Sequence, residues 1–97
     1  MATYITLLSY TEQGLKTIKE SPSRLEKARQ LFKSLGGELK SFYLAQGRFD
    51  AVVISEAPSD EIAAKVALTI GAQGNVRTET VRAFTEDEYR KIVSGLP

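Results

Sequence analysis

Apolar side chains occupy both alternating phases of the segment YITLLSY, Tyr4 to Tyr10, which is rich in β-branched and aromatic residues. A strand that is apolar on both phases belongs in the middle of a sheet covered on both sides. The period then lengthens. Thr11 followed by Glu12 predicts a capped start and a short helix towards Lys19, with Gly14 weakening it. Ser21-Pro22 predicts a second start, because Ser caps well and Pro is tolerated in the first turn. From there Leu25, Ala28, Leu31, Phe32 and Leu35 recur at the spacing of one helical stripe, and Gly36-Gly37 supplies the stop.

Two further strand-like runs, 39–45 and 49–56, flank Gln46-Gly47-Arg48 and predict a hairpin. Ser59 opens a second amphipathic helix to Ile70, with Ile62, Ala63, Val66, Ala67 and Ile70 inward and Gly71 closing it. Gly71-Ala72-Gln73-Gly74 follows a helix and precedes a strand, the reverse of a phosphate-binding loop, so it reads as a turn. A last strand, 76–84, leads into a helix whose start, Thr85 with Glu88 three residues on, has the capping-box pattern. Its apolar face is Tyr89, Ile92 and Val93.

The order is βαββαβ with one appended C-terminal helix. With right-handed crossovers it folds as a single α+β ferredoxin-like domain over 1–97, a four-stranded antiparallel sheet with both main helices on one face. The first and third strands are then central. Helices cover one side only, yet these strands are apolar on both. An uncovered apolar face of that size marks an interface or a ligand groove. Pairing two such sheets face to face is the simplest remedy, and it predicts a homodimer or higher even oligomer. The competing arrangement folds the appended helix back over the open face.

Composition narrows the chemistry. The chain has 97 residues, no cysteine and no histidine. Disulfides, thiolate nucleophiles, Cys-ligated metals, serine triads and His-ligated haem are thereby excluded, and no metal site or cofactor is expected. Thirteen basic against twelve acidic residues, interspersed along the chain, give no basic field for nucleic acid. No stretch approaches the ~18 apolar residues of a membrane span, and Met1 to Ile5 lacks the order of a signal peptide. The expected setting is the cytoplasm.

The chain resembles the GYD-domain family, named for a Gly-Tyr-Asp signature. The points of similarity are YITLLSYTEQG, SPSRLEKARQL, LGGELKSFYLAQGRFDAVVISEAP and GNVRTETVRAFTEDE, which fall in order over nearly the whole chain. The signature stands here as Gly47-Arg48-Phe49-Asp50, with Phe in the place of Tyr. The resemblance implies a ferredoxin-like fold similar to dimeric α+β barrels, and no particular activity.

Candidate site residues follow. Gly47, Phe49 and Asp50 read either as a hairpin turn in which Asp50 caps backbone amides, or as the mouth of a cavity with Asp50 as general base. Arg77 and Glu79 share one face of the last strand and Arg82 takes the other. Arg77 would bind a carboxylate, or serve only as a solvated edge charge. Tyr4 and Tyr10 share a face of the first strand with Thr6, and Tyr43 lies on the second strand. These tyrosines line a ligand cavity or pack in a core or interface. The favoured function is a homo-oligomeric module that binds a small metabolite or regulates. The alternatives are a cofactor-independent oxygenase or isomerase of the dimeric-barrel kind using Asp50, and a ligand-free assembly unit.

Overall fold

β1 (Ala2–Tyr10) pairs on one side with β3 (Ala51–Ala57) and on the other with β4 (Val76–Ala83), and β2 (Glu38–Leu44) completes the sheet beside β3. The order is β2-β3-β1-β4, antiparallel throughout, so the two most apolar strands are central as the alternation requires. This is the ferredoxin-like α+β arrangement. It was obtained as a computed structural model that describes residues 1–97. Between the strands run α1 (Glu12–Lys16), a 3-10 turn (Ile18–Glu20), α2 (Ser21–Ser34) and α3 (Asp60–Ala72), and α4 (Glu86–Ser94) follows β4.

Register decides which side chains meet the helices. Tyr4 pairs with Ser55, Thr6 with Val53 and Leu8 with Ala51, and these point towards α2 and α3. Ile5 opposite Ile54 and Leu7 opposite Val52 point the other way. Phe32, Leu39, Val53 and Val66 form one buried cluster, and Tyr4, Ala57 and Ala63 form a second at the far end of β1.

Several local features differ from the sequence expectation, each for an identifiable reason. Ser21 does not cap α2. The 3-10 turn already has helical dihedrals at Glu20, so the chain enters α2 without an extended residue, leaving Ser21 and Pro22 inside the first turn. Gly71 does not end α3, which runs on to Ala72 before turning at Gly74 with φ 81°. The β2–β3 connection is longer than three residues, spanning 45–50, and its last residue, Asp50, is held by the backbone on both sides. Its amide donates to Leu8 O (2.8 Å), and its carbonyl accepts from Ala45 N (2.8 Å). Gly14, which counts against a helix on propensity, is required by packing: a Cβ there would collide with the Asn75 carbonyl. The α3–β4 turn is strapped onto α1 at this point through Thr11 N to Asn75 O (3.1 Å) and Thr11 Oγ1 to Gly74 O (2.6 Å).

The appended helix does not fold back over the sheet. α4 has its full capping box, with Thr85 N donating to Glu88 Oε1 (2.8 Å) and Glu88 N donating to Thr85 Oγ1 (3.2 Å). It touches the rest of the chain only marginally, and Tyr89, Ile92, Val93 and Leu96 stay exposed. The molecule is correspondingly long, 52 × 31 × 18 Å. Its radius of gyration is 14.6 Å, against about 12–13 Å for a compact chain of this length.

Candidate functional site

The helices do not close over their side of the sheet. Only ten of the 97 residues are buried, and Leu8, Leu25, Leu31 and Ile70, all facing inward, remain half-buried. The reason is side-chain size. α3 presents Ala63 and Ala67 beside Val66, and the sheet below presents Thr6, Ser55, Thr78 and Thr80. Small groups on both surfaces leave a cleft of about 240 Å³ between α2, α3 and the strands. Packed interiors leave few voids larger than a water, so this gap is a structural feature.

The cleft lies along β1, and its two ends differ. At one end Tyr4, 4% exposed, donates its hydroxyl to the Asp60 carboxylate in the first turn of α3. Burial, reinforced by that hydrogen bond and the negative charge of Asp60, raises the Tyr4 hydroxyl above the usual phenol range. The Arg82 guanidinium, 5.8 Å from the ring centroid, opposes the rise. Ser55 lies next to Tyr4, 2% exposed; its hydroxyl is bonded to no protein group and opens into the cleft. In the middle, the Thr6 and Thr80 hydroxyls are 3.0 Å apart.

At the other end Tyr10 approaches Ser21, with 3.4 Å between oxygens. There the cleft opens onto a polar depression walled by Thr17, Glu20, Ser23, Arg24, Lys27, Gln73 and Asn75. Arg24 is held in place by donating to Thr17 O (3.1 Å), Thr17 Oγ1 (3.0 Å) and Gly14 O (3.2 Å). Neither Arg24 nor Lys27 takes part in an ion pair.

The residues singled out from sequence are distributed over three places. Tyr4 and Tyr10 line the cleft. Tyr43 and Arg77 are exposed on the opposite, open face, in register with Val52 and Ser9 respectively. Gly47, Phe49 and Asp50 sit in the loop at the end of the sheet. There the Asp50 carboxylate accepts from Tyr10 N at 2.9 Å, and Arg48 lies 6.0 Å from the Phe49 ring centroid. Asp50 thereby ties the signature loop to the end of β1, and it does not line the cleft. The groups that sequence reasoning missed are Ser55, Arg24 and Lys27. Ser55 was visible as the polar residue on the inward phase Ala51, Val53, Ser55, Ala57.

Fold and cleft together define a ferredoxin-like α+β domain with one open sheet face and an unfilled gap beneath its helices. The chain belongs to the GYD-domain family, whose profile matches residues 4–93. It is 30% identical over 85 residues to the glutamine synthetase and cystathionine beta-lyase binding protein of Thermus thermophilus, covering 87% of this chain and 90% of that one. Among solved structures it superposes on a feast or famine regulatory protein of M. tuberculosis complexed with L-methionine. The TM-score is 0.67 at 16% identity, over 88% of this chain and 51% of that one. The chain thus spans about half the length of that regulator. A second structure, also of a Thermus thermophilus protein, gives a TM-score of 0.56 at 22% identity over 88% and 95% of the two chains. At these identities the structural likenesses carry the fold.

Proposed function

We propose that this protein is a homo-oligomeric regulatory module that pairs through its open sheet face and holds a small metabolite beneath its helices. The observation that carries this reading is the state of β1. Its side chains are apolar or aromatic on both faces, and Ile5 and Leu7 on one face and Leu8 on the other are all left half-buried. A central strand in that state calls for a second copy on one side and a guest on the other. Tyr43, Arg77 and Val81 then belong to the subunit interface, and Tyr4 and Tyr10 to the ligand site. Asp50, with Gly47 and Phe49, holds the end of β1 in place at the rim.

The name of the Thermus relative, a binding protein for two enzymes, agrees with a regulatory role. The projecting α4, with its apolar face bare, favours a second reading in which this helix docks on an enzyme partner.

Size-exclusion chromatography with light scattering tests the assembly. The wild type is expected as an even oligomer. Val81→Glu, at a site 43% exposed in the single chain, is expected to yield a folded monomer by placing an unpaired charge in the interface. A monomeric wild type would remove the reading.

A further inference from the structure

The cleft contains more information than its volume, because its chemistry is graded from end to end. Six residue steps along β1 lead from Tyr4 to Tyr10, a span of roughly 20 Å at ~3.3 Å per residue. Over that length the walls are mainly apolar, with Leu8 and Val53 among the threonines below and Leu25, Leu31, Val66 and Ile70 above. At the Tyr4 end the tyrosine hydroxyl donates to the exposed Asp60 carboxylate. The Tyr10 end leads into the depression that holds Arg24 and Lys27, one helical turn apart on α2. Glu20 is the single carboxylate lining that depression, so two cations face one anion there.

Three of the five N–H donors of Arg24 are used to fix it to Thr17 and Gly14, which leaves two free on a pre-positioned guanidinium. Carboxylate recognition needs a fixed, unpaired donor set of this kind. The Ser55 hydroxyl, reached only from the cleft, supplies a second sign of a guest. That hydroxyl lines the cleft and is bonded to no protein group, so it is free to meet a polar group of a guest.

We infer that the cleft binds a straight-chain aliphatic carboxylate, with its headgroup at Arg24 and Lys27 and its chain lying over Leu8 and Thr6 towards Ser55. This assignment rests on the reading of the protein as a ligand-binding module and names the ligand class for that site. The aliphatic chain matches the walls, and the anionic head matches the end of the cleft whose lining carries cations, Arg24 and Lys27.

Isothermal titration of the full-length protein with carboxylates from octanoate to palmitate, kept below their aggregation concentrations, and with the matching alcohols, tests it. One carboxylate is expected per chain, with affinity rising roughly fourfold per methylene until the tail reaches the Tyr4 end, and level beyond. Lys27→Glu, an exposed substitution that leaves the fold untouched, is expected to weaken carboxylates about tenfold while sparing the alcohols. Ala67→Phe, which projects a ring into the cleft, is expected to abolish both, with an unchanged circular dichroism spectrum as the folding control. Absence of saturable binding to the wild type overturns the assignment, as does equal response of carboxylates and alcohols to Lys27→Glu. Light scattering on the same samples separates the two failures. An intact oligomer that takes up no carboxylate sinks the ligand class alone, and a monomeric wild type sinks the module itself.

Discussion

The two faces of the sheet receive very different cover, and every buried strand residue lies on the helix face, yet β1 beyond Tyr4 is only half-buried on both. One lies under α2 and α3; the other lies under nothing. Yet Leu8 beneath the helices is half-buried, and so are Ile5 and Leu7 on the bare side. On the helix face, Ala63, Ala67, Thr6, Ser55, Thr78 and Thr80 leave the roof standing off the floor. On the bare face, Ile5, Leu7, Val52 and Ile54 shield one another laterally across the strands, with Val81 and Tyr43 at the margins. The presence of a covering element and the exclusion of water are separate matters: the first is set by chain topology, the second by side-chain volume.

Truncation on each face gives the sharpest test of that contrast. If the proposed pairing covers Ile5, Ile5→Ala should show a loss of ~2–4 kcal/mol in urea denaturation, whereas Leu8→Ala at the cleft should lose about half as much. Equal losses would mean that the bare face stays bare. Next in size is Tyr4→Phe, which removes the hydrogen bond to the exposed Asp60 carboxylate and should cost ~1 kcal/mol in the same assay.

The same hydroxyl gives the protein a dependence on alkali. Tyr4 is held above its ordinary value of 10.0 in the folded chain. Its contribution is therefore complete below pH ~10 and is lost as pH rises through the folded value. Thermal melts of the wild type should fall over that window, with Tyr4→Phe falling less. Asp50→Asn keeps an acceptor for the Tyr10 amide, and should leave the oligomeric state unchanged while lowering stability by no more than ~1–2 kcal/mol. A gain in stability there would point to strain held for a function. The smallest effect expected is a gain: Ser55→Ala deletes a nearly buried hydroxyl with no protein partner and should stabilise the empty protein by ~0.5–1 kcal/mol.

The sheet order was legible because β1 and β3 are apolar on both phases, and only central strands need that. The capping boundaries at Thr11, Ser59 and Thr85 were legible because each begins a helix with a side-chain acceptor for an amide that has no helical partner, and all three make that bond. Gly14 was not legible: its reason is the Asn75 carbonyl, far along the sequence, and local propensity contains no trace of it. The cleft was missed for a related reason. Ala63, Ala67 and Thr6 each satisfy the apolar or small requirement of an inward position, and a void arises only when several such positions face one another across two elements. Arg24 and Lys27 read as ordinary surface charges on α2, because nothing local indicates that both lack a counter-ion.

α4 has nine residues, a complete capping box and almost no tertiary contact. The Thr85 amide holds the Glu88 carboxylate below its usual range, so the cap is retained above that range and weakens as pH falls through it. Isolated helices shorter than ~12–15 residues are marginal in water. The order of this helix therefore depends on what it rests against. In the lone chain its amide hydrogens should exchange with solvent nearly as fast as those of a frayed end, and a protease should clip it while the sheet stays intact. When a partner covers Tyr89 and Ile92 both rates should drop together, which makes the last turns of the chain a built-in gauge of occupancy, readable by deuterium uptake without any label.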